Sequence, residues 1–92
     1  MFIIWDPKKA ELNLRKHGIS FVEAQTVLES KGQLVLEDKS HNEDRFIVLG
    51  YSNSARLLVV VYCYREQDAI RIISARKAIS KERKIYEKRI RF

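Results

Sequence analysis

Residues 56–65 constrain this chain more than any other stretch. Between two arginines they read Leu57-Leu58-Val59-Val60-Val61-Tyr62-Cys63-Tyr64. With the two-residue period of a strand, Leu57, Val59, Val61 and Cys63 fall on one face and Leu58, Val60, Tyr62 and Tyr64 on the other. Both faces are apolar or aromatic. Such a strand belongs in the interior of a sheet covered on both sides. The rest of the chain has to supply its neighbours and its two covering layers.

The flanking sequence supplies them. Arg45–Tyr51 and Ala69–Lys77 read as strands, and the short links at 52–55 and 66–68 force antiparallel pairing. Residues 33–38 add another strand before a polar loop at 39–44, and the β-prone run 2–5 adds a first one. Two helices lie between. Asp6 is an N-cap, and Pro7 follows where its missing N–H costs nothing. Gly18 stands at the C′ position of a helix over 8–17. Ala10, Leu14 and His17 share a stripe of that helix, with Leu12 off it. Ser20 and Glu23 form a capping box, and Ile19 is placed to staple against Ala24. Phe21, Ala24, Val27 and Leu28 are the core face of the second helix, which Gly32 closes. Ser80 caps a last helix reaching about Arg91, with Glu82 in its first turn favourable to the dipole. Its stripe is Ile79, Arg83, Tyr86 and Ile90. The order β-α-α-β-β-β-β-α predicts an α+β fold: an antiparallel twisted sheet with two N-terminal helices and one C-terminal helix. At 92 residues the chain forms one domain, 1–92, with one modest core.

Charge narrows the function. The formal net charge is +6. Residues 71–92 hold nine Lys/Arg against two acids, whereas residues 1–70 hold nine against ten. The whole excess sits in the last quarter, which suits a polyanion or an acidic protein. The lone Cys63 excludes an internal disulfide and fits a reducing cytoplasm. The apolar start is too short for a signal peptide or a spanning helix, so no membrane role is expected. No residue set has metal-ligand spacing, no Ser/His/Asp or Cys/His triad is readable, and three glycines make no phosphate loop. No metal or cofactor is expected. Cys63, in a central strand, is a core residue rather than a nucleophile. His17, at a helix C-terminus, is placed to stabilise that end. His41 lies in the polar loop. Glu37 and Asp38 are adjacent and point to opposite sides, so they are not a dyad.

The cations of the last quarter sit among apolar residues in Ile70-Arg71-Ile72-Ile73-Ser74-Ala75-Arg76-Lys77, which runs directly into the last helix. Strict alternation puts Ile70, Ile72, Ser74 and Arg76 on one face, and Ala69, Arg71, Ile73, Ala75 and Lys77 on the other. Metal-free RNA cleavage needs a deprotonated 2′-OH, a neutralised phosphate and a protonated leaving oxygen. Arginine supplies bidentate phosphate binding, and aromatic rings stack splayed bases.

Several segments together resemble one known family. They are Trp5-Asp6-Pro7-Lys8-Lys9, Asn13-Leu14-Arg15-Lys16-His17-Gly18-Ile19-Ser20-Phe21, Arg45-Phe46-Ile47-Val48-Leu49-Gly50, Arg71-Ile72-Ile73-Ser74-Ala75-Arg76-Lys77-Ala78 and Glu82-Arg83-Lys84-Ile85-Tyr86-Glu87. The chain is similar over nearly its whole length to the BrnT family of bacterial type II toxins. The resemblance implies a RelE-like fold and a metal-independent endoribonuclease that inhibits translation. It also implies a BrnA-type antitoxin partner, through which the complex binds operator DNA and represses its own operon. Arg71, Arg76, Arg83 and Tyr86 match the family's terminal motif. By chemistry, Arg76 and Arg83 are then candidates for phosphate and transition-state stabilisation. Arg65 is a candidate for substrate positioning and Tyr86 for base stacking or orientation. Arg71, Lys77, Lys84 and Arg45 complete the set as RNA-binding cations.

Two other readings use the same residues. A non-catalytic nucleic-acid-binding module needs the basic tail but no shaped site, and predicts steep salt dependence without cleavage. A protein-interaction domain predicts tight binding to an acidic segment and weak affinity for RNA.

Overall fold

A computed structural model describes residues 2–38, 45–65 and 68–90. The elements are β1 (Phe2–Ile4), α1 (Pro7–His17), α2 (Phe21–Leu28), β2 (Leu34–Asp38), β3 (Arg45–Tyr51), β4 (Leu57–Tyr64), β5 (Ala69–Lys77) and α3 (Ser80–Ile90). They form one sheet in the order β1-β5-β4-β3-β2. The expected element order and α+β class are the observed ones, and β4 is the central strand. The polar loop with His41, the hairpin residues 66 and 67, and the end of the last helix at Arg91 lie outside the described residues.

One expectation about the sheet needs correcting. β2 to β5 make the antiparallel meander, but β1 lies parallel to β5, with Phe2, Ile3 and Ile4 in register with Ala69, Ile70 and Arg71. The sheet is therefore mixed. Turn chemistry dictates the pairing of strands joined by short links, whereas β1 and β5 are far apart in sequence and meet only through the core.

The two faces of β4 have different covers. Leu58, Val60 and Tyr62 join Ile19, Phe21, Ala24 and Val27 of the α1–α2 layer in the larger core, with Val48, Ile70, Ile72 and Ala75. Leu57 and Val59 join Leu49 and Tyr86 in a smaller cluster beneath α3. That helix packs chiefly on β2 and β3 and reaches β4 through Tyr86. Of its side chains from Ser80 to Arg89, only Tyr86 is buried and only Glu82 half-buried. Ile79 is 58% exposed and Arg83 is exposed, so the expected stripe of Ile79, Arg83, Tyr86 and Ile90 is not the contact face. The side chain of Ile90 lies outside the description.

Local signals mostly hold. Asp6 caps α1 by accepting from the Lys8 N–H at 2.9 Å, and Gly18 takes the left-handed conformation (φ 71°) at its end. The buried residue of α1 is Asn13, however, while Leu14 is 49% exposed. Ser20 accepts from the Glu23 N–H as a capping box requires, but the Glu23 carboxylate turns to Ser52 and Arg56. α2 ends at Leu28 with Glu29 as its cap, four residues before Gly32. Ser80 is the first residue of α3 rather than its cap. The helix entry is held instead by Glu82, whose carboxylate accepts from the Ile79 N–H at 2.9 Å.

Candidate functional site

Register decides which cations meet. Tyr62 pairs with Ile72, but Val61 pairs with Ser74, so Ile73 is an extra residue in β5. A bulge of this kind reverses the alternation beyond it. Arg76 pairs with Val59 and Arg71 with Cys63, and both partners lie on the α3 side of β4. Arg71 and Arg76 therefore share one face, although strict alternation over five residues would separate them. Arg45 also pairs with Cys63, so Arg45, Cys63 and Arg71 form a row across three strands. Four residues of β4 separate this row from Val59 and Arg76, about 13 Å at the usual strand rise.

The same bulge removes Lys77 from the set. Lys77 pairs with Leu58 and so lies on the α1–α2 side. There it helps, along with Arg56, to hold the Glu23 carboxyl below its ordinary range. Tyr62 and Tyr64 share a face as alternation requires, but it too is the α1–α2 face. Tyr62 stacks on Phe46 at 5.5 Å, and Tyr64 meets both rings edge-on. Burial raises the pKa of the Tyr62 phenol above its ordinary value, with Tyr64 adding to the effect.

At the α3 end, Arg76 forms a bidentate pair with Glu82, at 2.9 and 2.7 Å. The hydrogen-bonded guanidinium holds the Glu82 carboxyl below its ordinary range against the effect of burial, and the Ile79 N–H assists. Glu82 thus joins β5 to the entry of α3. Arg83 donates to the Tyr51 hydroxyl at 3.2 Å. Tyr51 is 41% exposed and meets Tyr86 edge-on at 5.7 Å. Tyr86 is 9% exposed, and its hydroxyl donates to the Gly32 carbonyl at 2.8 Å. The ring is packed with Leu49, Leu57 and Val59. Burial, with Tyr51 close by, raises its phenol pKa.

The remaining candidates are spread out. Arg65 follows β4, its N–H bonded to the Ala69 carbonyl, at the far end of the sheet from Arg76. Lys84 is exposed on α3. The structure therefore gathers Arg45 and Arg71 in one row and Arg76 and Arg83 around α3, on a single face. Arg71 is half-buried, and its Nε is enclosed without a hydrogen-bond partner among the described residues.

Three residues of this arrangement were given no place in the candidate site by the sequence. Tyr51 was legible: alternation along Arg45–Tyr51 places it on the Arg45 face. Glu82 stands three residues after Ile79, the spacing of a reciprocal cap. Asn13 opens one of the segments that carry the family resemblance, but no local pattern marks its contact with β5. Its side-chain amide donates to the carbonyls of Ile19 (3.0 Å) and Ala75 (2.7 Å) and accepts from the Ala75 N–H (3.1 Å). It acts as a strand partner for β5 beside Arg76.

Comparison with known proteins identifies a family. A family model described as the ribonuclease toxin BrnT of type II toxin–antitoxin systems matches residues 5–82. The 1.1 Å crystal structure of the Brucella abortus ribonuclease toxin BrnT is similar at a TM-score of 0.71 and 29% identity, over 87% of this chain and 99% of that one. No curated protein matches. The family match covers most of the chain, including both β5 arginines and the Asn13 clamp, and the chain belongs to the BrnT family of ribonuclease toxins of type II toxin–antitoxin systems.

Proposed function

We propose that this toxin cleaves RNA without a metal ion on the face that carries Arg45, Arg71, Arg76 and Arg83. The observation that carries the reading is the bulge at Ile73, which turns Arg71 and Arg76 to one side of the sheet. Among the described residues no three His, Cys, Asp or Glu side chains gather as a metal site. In this reading phosphate charge falls to the guanidinium groups, which bind it in bidentate fashion and stabilise the additional charge of the transition state. Arg71 and Arg83 are the candidates for direct phosphate contact. Arg76 reaches a phosphate by exchanging its Glu82 partner. Tyr51 offers the exposed aromatic edge and hydroxyl on this face. Arg45 and Lys84 bind the RNA backbone, and Arg65 extends the track at the hairpin.

In this reading cleavage by 2′-OH attack stops translation, and a BrnA-type antitoxin neutralises the toxin and carries the complex to operator DNA. Among the described residues no helix is long and apolar enough to cross a membrane, and the site of action is the cytoplasm.

The test is cleavage of a mixed-sequence single-stranded RNA in excess EDTA by wild type, Arg71→Ala and Arg83→Ala, each checked for folding by circular dichroism. Removing a charge-stabilising donor costs about 10²–10³ in rate. Full activity in both folded variants would sink the assignment. Binding without cleavage by wild type would favour the non-catalytic module.

A further inference from the structure

β1 is short. Its last residue, Ile4, is in register with Arg71, so from Ile72 onwards the outer edge of β5 has no neighbouring strand among the described residues. α1 packs there instead. Asn13 occupies the edge at Ala75, and a cleft of about 210 Å³ remains beside it. Lys9, Lys16 and His17 line it from α1, and Ile73 and Ser74 line it from β5. Leu12 supplies an apolar wall.

We infer that this cleft binds a backbone phosphate of the RNA, as an extension of the arginine face around the open edge of β5; the inference rests on the ribonuclease reading. Its polar lining consists of ammonium, imidazole, hydroxyl and amide groups, with no carboxylate among the described residues. A donor-rich, cationic lining selects an anion, and lysine acts on phosphate as a point charge. Lys9, Asn13 and Lys16 follow the i, i+4, i+7 stripe of a helix. The Asn13 clamp therefore fixes one lysine a turn before itself and the other a turn after, both against β5. Both lysines are exposed, and neither has an ion pair among the described residues. The acid of α1, Glu11, is taken by Arg15 at 2.7 Å.

Ser74 makes the cleft continuous with the arginine face. It pairs with Val61, in the row between those of Arg71 and Arg76, and it also lines the cleft. A single strand that crosses the face between the two arginines meets Ser74 and then the two lysines. The linear charge count hides this second cluster, because it sums Lys9 and Lys16 with acids from all of residues 1–70, none of which is among the described residues lining the cleft.

The experiment is equilibrium binding of a 2′-O-methyl single-stranded RNA, which cannot be cleaved, over a range of salt concentrations. Wild type, Lys9→Ala/Lys16→Ala, Arg71→Ala and the surface control Lys31→Ala are compared, with melting curves for each. Each phosphate contact on a single strand contributes about 0.7 to the slope of log K against log salt. The double variant is expected to lose about 0.7 of slope at unchanged melting temperature, while Lys31→Ala keeps the wild-type slope. A wild-type slope in the double variant, with a reduced slope in Arg71→Ala, overturns the cleft and leaves the ribonuclease reading standing. Wild type that neither binds this RNA nor cleaves ordinary RNA overturns both.

Discussion

Arg71 and Arg76 reach the same side of the sheet because Ile73 stands unpaired between them. Val61 is opposite Ser74 and Tyr62 is opposite Ile72, so five residues of β5 span four of β4. Bulges beside functional sites often re-aim a side chain in this way. Here the bulge brings two guanidinium groups onto one face and sends Lys77 to the other. Arg71→Ala is expected to lower RNA binding and cleavage together. Lys77→Ala should leave both within about twofold, as a charge on the opposite face screened by salt. Filter binding and initial cleavage rates on the two variants check this pair.

Asn13 makes three buried hydrogen bonds, two that hold α1 to Ala75 of β5 and one to the Ile19 carbonyl. Asn13→Ala leaves the Ala75 N–H and C=O and the Ile19 C=O without this partner. The expected loss is about 2–4 kcal/mol. Asn13→Asp keeps the acceptor but cannot donate to either carbonyl, so it should be destabilised as well. Urea unfolding of the two variants measures both effects; a wild-type midpoint for Asn13→Asp would show that the donor bonds contribute nothing.

The Arg76–Glu82 pair carries a pH signature. The Glu82 carboxyl is held below its ordinary value of 4.5, chiefly by its hydrogen bonds from Arg76. A depressed carboxylate pKa contributes stability that is present above the unfolded value and lost as pH falls through the folded one. Glu82→Gln should therefore melt below wild type at pH 7, by the equivalent of about 1 kcal/mol for a partly exposed pair. The gap should close as pH falls below 4.5. The same variant frees Arg76 from its counter-ion, so RNA binding at pH 7 should tighten. Melting curves from pH 3 to 7 and one binding isotherm test both halves.

Tyr86→Phe separates packing from chemistry. The ring stays in the cluster with Leu49, Leu57 and Val59, and only the hydroxyl bond to the Gly32 carbonyl is lost. That costs about 1 kcal/mol, or roughly 4–8 °C in melting temperature for a domain of this size. Cleavage measured well below the melting point is expected to match wild type. A folded Tyr86→Phe protein without activity would place the hydroxyl in the reaction.

Gly50 reports on how tightly α2 seats on the sheet. A Cβ at this position would lie 3.0 Å from Cγ1 of Val27 and 3.4 Å from Cβ of Gln33. Val27 is fully buried, so any shift it makes is against the core. Gly50→Ala should cost about 1–3 kcal/mol by overpacking, measured by thermal or urea unfolding, with no change in RNA affinity per folded molecule.

What the sequence determined by itself was local. The Asp6-Pro7 start and Gly18 end of α1, the Ser20 cap of α2, the bounds of Arg45–Tyr51 and Ala69–Lys77, and the central place of β4 follow from capping chemistry, turn residues and apolar periodicity. Each acts within a few positions of the chain. The tertiary structure decided what depends on partners distant in sequence. β1 lies parallel to β5, Ile73 bulges against β4, and Asn13 reaches Ala75 across 62 positions. No local pattern marks a bulge in Ile72-Ile73-Ser74, because whether a residue is skipped depends on how both strands fit the layers above and below. A site assembled by register is therefore legible in its residue types, but its membership is fixed only when the strands pair.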